Sequence, residues 1–91
     1  MSGPLADAIR RIEDRIGDER YWCRGRSYQG EQACVIGAAS EVESWDAVDL
    51  LYEVANDTTG LPVVTVNDHL GHEAVMLLLA TALDIAEAEG L

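Results

Sequence analysis

The chain contains no lysine, and none of its six arginines lies beyond position 26. Residues 31–91 hold twelve carboxylates and no Lys or Arg, whereas residues 1–30 hold six Arg against five acids, and together they give the net charge of −11. Nucleic acid and anionic lipid attract through Lys and Arg, so this balance excludes both as general partners. Also missing is any apolar run near the roughly 18 residues that cross a bilayer, and Met1–Pro4 has neither the basic nor the apolar region of a secretory signal. The protein is therefore expected in the cytoplasm. Two cysteines eleven positions apart do not make the disulfide framework of a secreted mini-domain, and in a reducing compartment Cys23 and Cys34 are expected as free thiols. Internal repeats, interdomain linkers and a phosphate-binding glycine loop are absent too, which leaves residues 1–91 as one domain.

What is present is enough apolar material to fold. At 48% hydrophobic and 25% charged residues, the chain lies outside the disordered and low-complexity classes. Leu5, Ile9, Ile12 and Ile16 recur at steps of four, three and four, one helical stripe that starts at Pro4 and stops near Gly17. Residues 18–32 lose that period and read as a loop, with an extended stretch at Tyr21–Arg24. From Ala33 to Val42 apolar residues surround a short buried helix, and Gly37 within it implies close packing, since glycine there costs about 1 kcal/mol. Ser44 caps a third helix, with Trp45, Val48, Leu51, Tyr52 and Ala55 expected to face inward and Asn56–Gly60 to end it in a turn. Val63-Val64-Thr65-Val66 is β-branched throughout and predicts a short extended segment. Asp68 is expected to cap the last helix, which turns Val75, Leu78, Leu79, Ala82, Ile85 and Ala86 inward. The sum is an all-α fold, a single small four-helix domain with an extended segment at 63–66.

Chemistry-bearing residues are few. Cys23, Cys34, His69 and His72 could in principle ligate zinc, but the cysteines are too far apart for a zinc knuckle, so neither a metal nor a cofactor is expected. The one catalytic trio available is Cys23 as nucleophile, His69 or His72 as base and Asp68 as orienter, with Arg20, Arg24 and Arg26 lowering the thiol pKa if they surround it. Nothing in the sequence supplies an oxyanion hole. The segment from Arg20 to Tyr28 interleaves arginine with aromatic residues, a composition suited to anchoring an interface. Its Trp22 is expected to plug the core, while Arg20, Arg24, Arg26 and Tyr28 face a partner. Asn67-Asp68 reads first as turn and cap chemistry.

The order Trp22-Cys23-Arg24-Gly25, then Cys34-Val35-Ile36-Gly37-Ala38, then Asn67-Asp68 before a C-terminal helix carrying Val75 and Leu78, resembles a small uncharacterised family of actinobacterial and actinobacteriophage proteins. The likeness spans residues 22–86 and departs from the family at Val66, where an aromatic residue is common. It implies a small helical domain and assigns no active site. An arginine-only, alanine-rich composition is also what a GC-rich genome would encode. The function expected is that of an acidic intracellular protein-binding module, phage or prophage encoded, with a homodimer as one arrangement. The alternatives are a thiol- or metal-dependent enzyme using Cys23 with His69 and His72, and a DNA mimic that occupies a nucleic-acid enzyme.

Overall fold

The computed structural model describes residues 3–91. Met1 and Ser2, part of the amino-terminal stretch read above for a secretory signal, lie outside the described residues. Helix α1 (Pro4–Ile16) opens on a proline whose missing N–H would have had no intrahelical partner anyway. It buries Ile9, Ile12 and Ile16 completely, along the predicted stripe. The first-turn amides of Leu5 and Ala6 donate to the Leu91 carbonyl, which ties the two ends of the described chain together.

Asp18 caps a single 3-10 turn at Glu19–Tyr21, after which the chain extends through Trp22. Strands β1 (Tyr28–Gln29) and β2 (Gln32–Ala33) then form a minimal antiparallel hairpin. Gly30 supplies its positive φ of 62°. Trp22 pairs with the other side of Ala33 in a parallel bridge. Backbone pairing therefore occurs within a segment expected to be loop; of the stretch expected to be extended, Trp22 is, whereas Tyr21 belongs to the 3-10 turn.

Helix α2 (Val35–Glu41) packs against α1, and α3 (Trp45–Thr59) packs against α2 and against the last helix. Ser44 caps α3 as expected, its hydroxyl accepting from the Ala47 amide. The helix runs on to Thr59 and ends at Gly60 in the left-handed conformation (φ 73°). Its inward face keeps Leu51, Ala55 and, in part, Val48 as expected, but not the two aromatics. Ala47, Leu51, Val54 and Ala55 are buried, whereas Trp45 is 76% exposed and Tyr52 is exposed as well. At about 100° per residue, Trp45 and Tyr52 lie about 140–160° around the helix from Ala47, and small residues rather than the aromatics fit the tight contact with α1.

The clearest departure is at residues 63–66, which are helical rather than extended. Helix α4 (Val63–Thr65) continues into a π-helical turn over Val66–Leu70, so the described residues form five α-helices where four were expected. Pro62 pre-sets the entry. Val63 and Val66, three apart on one helical face, are both fully buried, and the hairpin at 28–33 is already paired with itself. Burial thus overrides the β preference of a four-residue run. Asp68 lies inside the π turn and does not cap α5 (His72–Ala88), whose N-cap is Gly71 with φ 96°. Along α5, Val75, Leu78, Leu79, Ala82 and Ala86 face the core as predicted, while Ile85 sits at the rim and is partly exposed. Among the described residues no helix is long and apolar enough to cross a membrane. The result is a small, mostly helical domain with one short hairpin.

Candidate functional site

Three segments far apart in sequence meet on one buried side chain. Asn67 is 1% exposed and is the sole polar residue in the core of the described chain. Its Oδ1 accepts from the Trp22 indole Nε1 at 2.8 Å and from the Val35 amide at 3.0 Å. Its Nδ2 donates to the Cys23 carbonyl at 3.1 Å and to Asp68 Oδ1 at 3.0 Å. All four bonding positions of the amide are therefore filled. The same Asp68 oxygen accepts from the Gly25 amide at 2.8 Å, which pins the tip of the arginine loop to the π turn. Two bonds, from Gly25 first and from Asn67 second, hold the Asp68 carboxyl below its ordinary range.

Cys34 has a role that the sequence did not suggest. Its Sγ accepts from the Gly37 amide at 3.3 Å, so a thiol stands at the N-cap of α2 where serine is usual. The close packing expected at Gly37 is present: a Cβ there would come within 2.4 Å of the Ser27 carbonyl oxygen. That carbonyl accepts from the Cys34 amide, and the Tyr28 hydroxyl donates to the Gly37 carbonyl at 2.9 Å. Cap, glycine and tyrosine together dock the loop onto α2.

Trp22 plugs the core, 6% exposed, as predicted. Arg24 lies over its outer face with the guanidinium 5.1 Å from the ring centroid, and Nη1 donates to the Asp68 carbonyl at 3.4 Å. Arg20 points elsewhere. It forms a fork with Asp18, which holds that carboxyl down at about 2. Arg26 is exposed and forms no ion pair among the described residues, and the same is true of Arg24. Tyr28 is half exposed, with its hydroxyl committed to α2. The structure therefore brings Arg24, Arg26 and Tyr28 onto one docked loop and places Arg20 in a separate local pair. Beside Arg26 a cleft of about 150 Å³ opens between the loop and α4, with Cys34, Asn67 and Asp68 at its wall.

The thiol constellation is not assembled. Cys23 is buried, its Sγ donates to the Arg26 carbonyl at 3.4 Å, and burial followed by the neighbouring Cys34 pushes its pKa up. A thiol so placed stays protonated, the opposite of an activated nucleophile. His72 Nε2 lies 2.6 Å from the Ile16 carbonyl, and because a carbonyl only accepts, that nitrogen carries the proton. The ring also tilts against Trp22 at 5.4 Å. No hydrogen bond links Cys23 to His69 or His72. Among the described residues no group of three His, Cys, Asp or Glu side chains is placed to hold a metal ion. Both cysteines are free, in line with expectation.

Sequence reading missed Asn67 because its partners lie 45, 32 and 44 positions away, and nothing within its own helix turn distinguishes it from a surface cap. The Cys34 cap was missed for another reason, since a sulfur stands there in the place of an oxygen. Compared with known protein families, curated proteins and solved structures, the chain matches none.

Proposed function

We propose that this chain is a cytoplasmic protein-binding module that engages an acidic patch of a protein partner through Arg24, Arg26 and Tyr28. One observation carries the reading. In a chain with seventeen acids and six arginines, Arg24 and Arg26 on the loop form no ion pair with a described carboxylate, as is also true of Arg11 on α1, while Arg10 pairs with Asp7 and Glu87, Arg15 with Glu41 and Arg20 with Asp18. Electrostatics within the chain would pair them readily if the loop faced inward. The Asn67 and Asp68 bonds hold the loop in place before any partner arrives, which lowers the ordering cost of association. The three segments that carry the resemblance to the actinobacterial family meet in this one network, which supports treating them as a single unit. Arg20 belongs to the surface only at its edge, with its charge already answered by Asp18.

The test is a pull-down from an actinobacterial lysate with identification of the retained protein, followed by titration of that protein with wild type and with the Arg24→Ala, Arg26→Ala double variant. Affinity is expected to fall by about 30-fold or more, equivalent to about 2 kcal/mol, with melting shifted by only a few degrees. Undiminished binding by the double variant would refute this use of the loop.

A further inference from the structure

Trp45, which the helical stripe had assigned to the core, is the most exposed of the large apolar side chains described, at 76%. It stands at the first position of α3 between two depressions of about 460 and 590 Å³. The second shares Pro4, Leu5 and Asp46 with a third depression, of about 420 Å³, that continues to Leu50 and Leu91. Pro4, Leu5, Val42, Val48, Leu50 and Leu91 thus give the three depressions apolar lining beside the exposed indole. The walls are acidic: Asp7, Glu43, Asp46, Asp49, Glu53 and Glu89 line the three depressions, against one cation, Arg11. Just before Trp45 the chain adopts φ 54° at Glu43, a left-handed conformation for a non-glycine residue, in the turn that presents the indole.

We infer that this face binds an amphipathic helical segment of another protein, with apolar residues on one side and Lys or Arg on the other. Apolar side chains flanked by carboxylates suit a helix that anchors at i, i+3, i+4 and i+7, and the carboxylates select cationic flanks. An exposed tryptophan adds a surface on which a guanidinium can stack. A second copy of the chain is the poorer occupant, because an isologous contact through this face would set six carboxylates against six. The surface is separate from the arginine loop in its residues and opposite in sign. The inference therefore does not rest on the reading of that loop.

The probe is a synthetic fluorescein-labelled peptide of about 14 residues, Leu at the four anchor positions and Arg or Lys elsewhere, about four helical turns. A scrambled peptide of the same composition and one with Glu replacing every cation serve as comparisons. Fluorescence anisotropy should show saturable binding of the first peptide at micromolar concentration, about tenfold weaker binding of the scrambled one and none of the acidic one. Trp45→Ala should weaken the first peptide about tenfold. Circular dichroism should show that this variant still melts like wild type, since the side chain it removes is mostly in water. Asp46→Asn together with Glu43→Gln should weaken binding and flatten its salt dependence. Equal binding of the ordered and scrambled peptides, or equal binding by Trp45→Ala, would overturn the inference by reducing it to bulk charge. A concentration-dependent dimer that Trp45→Ala abolishes would overturn it as well, by giving the face to a second copy.

Discussion

Replacing Asn67 by alanine would orphan three groups in the interior at once: the Trp22 indole N–H, the Val35 amide and the Cys23 carbonyl. A buried polar group left without a partner costs about 1–3 kcal/mol, so the three together should cost about 3–6 kcal/mol after some relaxation. A chain of this size is expected to have about 5–14 kcal/mol of stability in all, so the substitution removes a large part of it. Urea unfolding followed by far-UV circular dichroism measures the loss directly. Trp22→Phe removes only the indole donor and should cost about 1–2 kcal/mol. In the double variant the two losses should fall short of additivity by about 1 kcal/mol, because Asn67 then has one partner fewer to abandon. Asn67→Asp keeps the two acceptor bonds but loses the donors and sets a buried carboxylate beside Asp68. Its folded pKa would lie above its unfolded value, so its stability should be greatest at acid pH and fall as pH rises. An Asn67→Ala loss below about 1 kcal/mol, or full additivity with Trp22→Phe, would refute the account of Asn67 as the tie between loop and helices.

Other expectations follow from the same geometry. Asp68 has a depressed pKa, so its contribution is present above the ordinary carboxylate value of about 3.9 and is lost as pH falls through the lower folded value. Melting temperatures measured from neutral to strongly acid pH should show that loss in wild type and not in Asp68→Asn. Asp18 should keep its charge down to about pH 2, which an NMR titration of its carboxyl carbon would show, with Arg20→Ala moving the midpoint upward. Neither thiol should react readily with a disulfide reagent in native buffer, and both should react after unfolding. Rapid native labelling of Cys23 at neutral pH would revive the nucleophile reading. Gly37→Ala should destabilise by about 1–3 kcal/mol through its clash with the Ser27 carbonyl, although helix propensity alone would favour alanine. A stabilised variant would show that the loop can retreat at no cost.

Much of the frame was legible because it depends on local periodicity. The stripe of α1 and the inward face of α5 follow from spacing, and Ser44 caps α3 through a bond that spans three residues. What failed depends on contacts that spacing does not encode. Val63 and Val66 became helical because their burial outweighs β propensity, and that burial is supplied by helices distant in sequence. Trp45 was assigned inward on hydrophobicity, although the angular position of Ala47, Leu51, Val54 and Ala55 defines a different face. At the candidate site, Trp22 was legible as a core residue from its size. The network that positions it was not, since the bonds that join Asn67 to Trp22, Cys23 and Val35 each close across more than thirty residues.

The charge asymmetry of the sequence takes a particular form once the chain is folded. Two of the three arginines of α1 reach carboxylates that the sequence places far away, Arg10 with Glu87 of α5 and Arg15 with Glu41 of α2. Those pairs answer positive charge within the helices, while the loop that carries Arg24 and Arg26 retains its own. Exposed pairs of this kind contribute little to stability, about 0–1 kcal/mol each, so salt should change melting only slightly. Association through unpaired charge is different, because screening acts on the encounter itself. Raising ionic strength is therefore expected to weaken partner binding well before it moves the melting temperature. If melting and binding fell together with added salt, the arginine charges would be contributing to the fold and not to a partner.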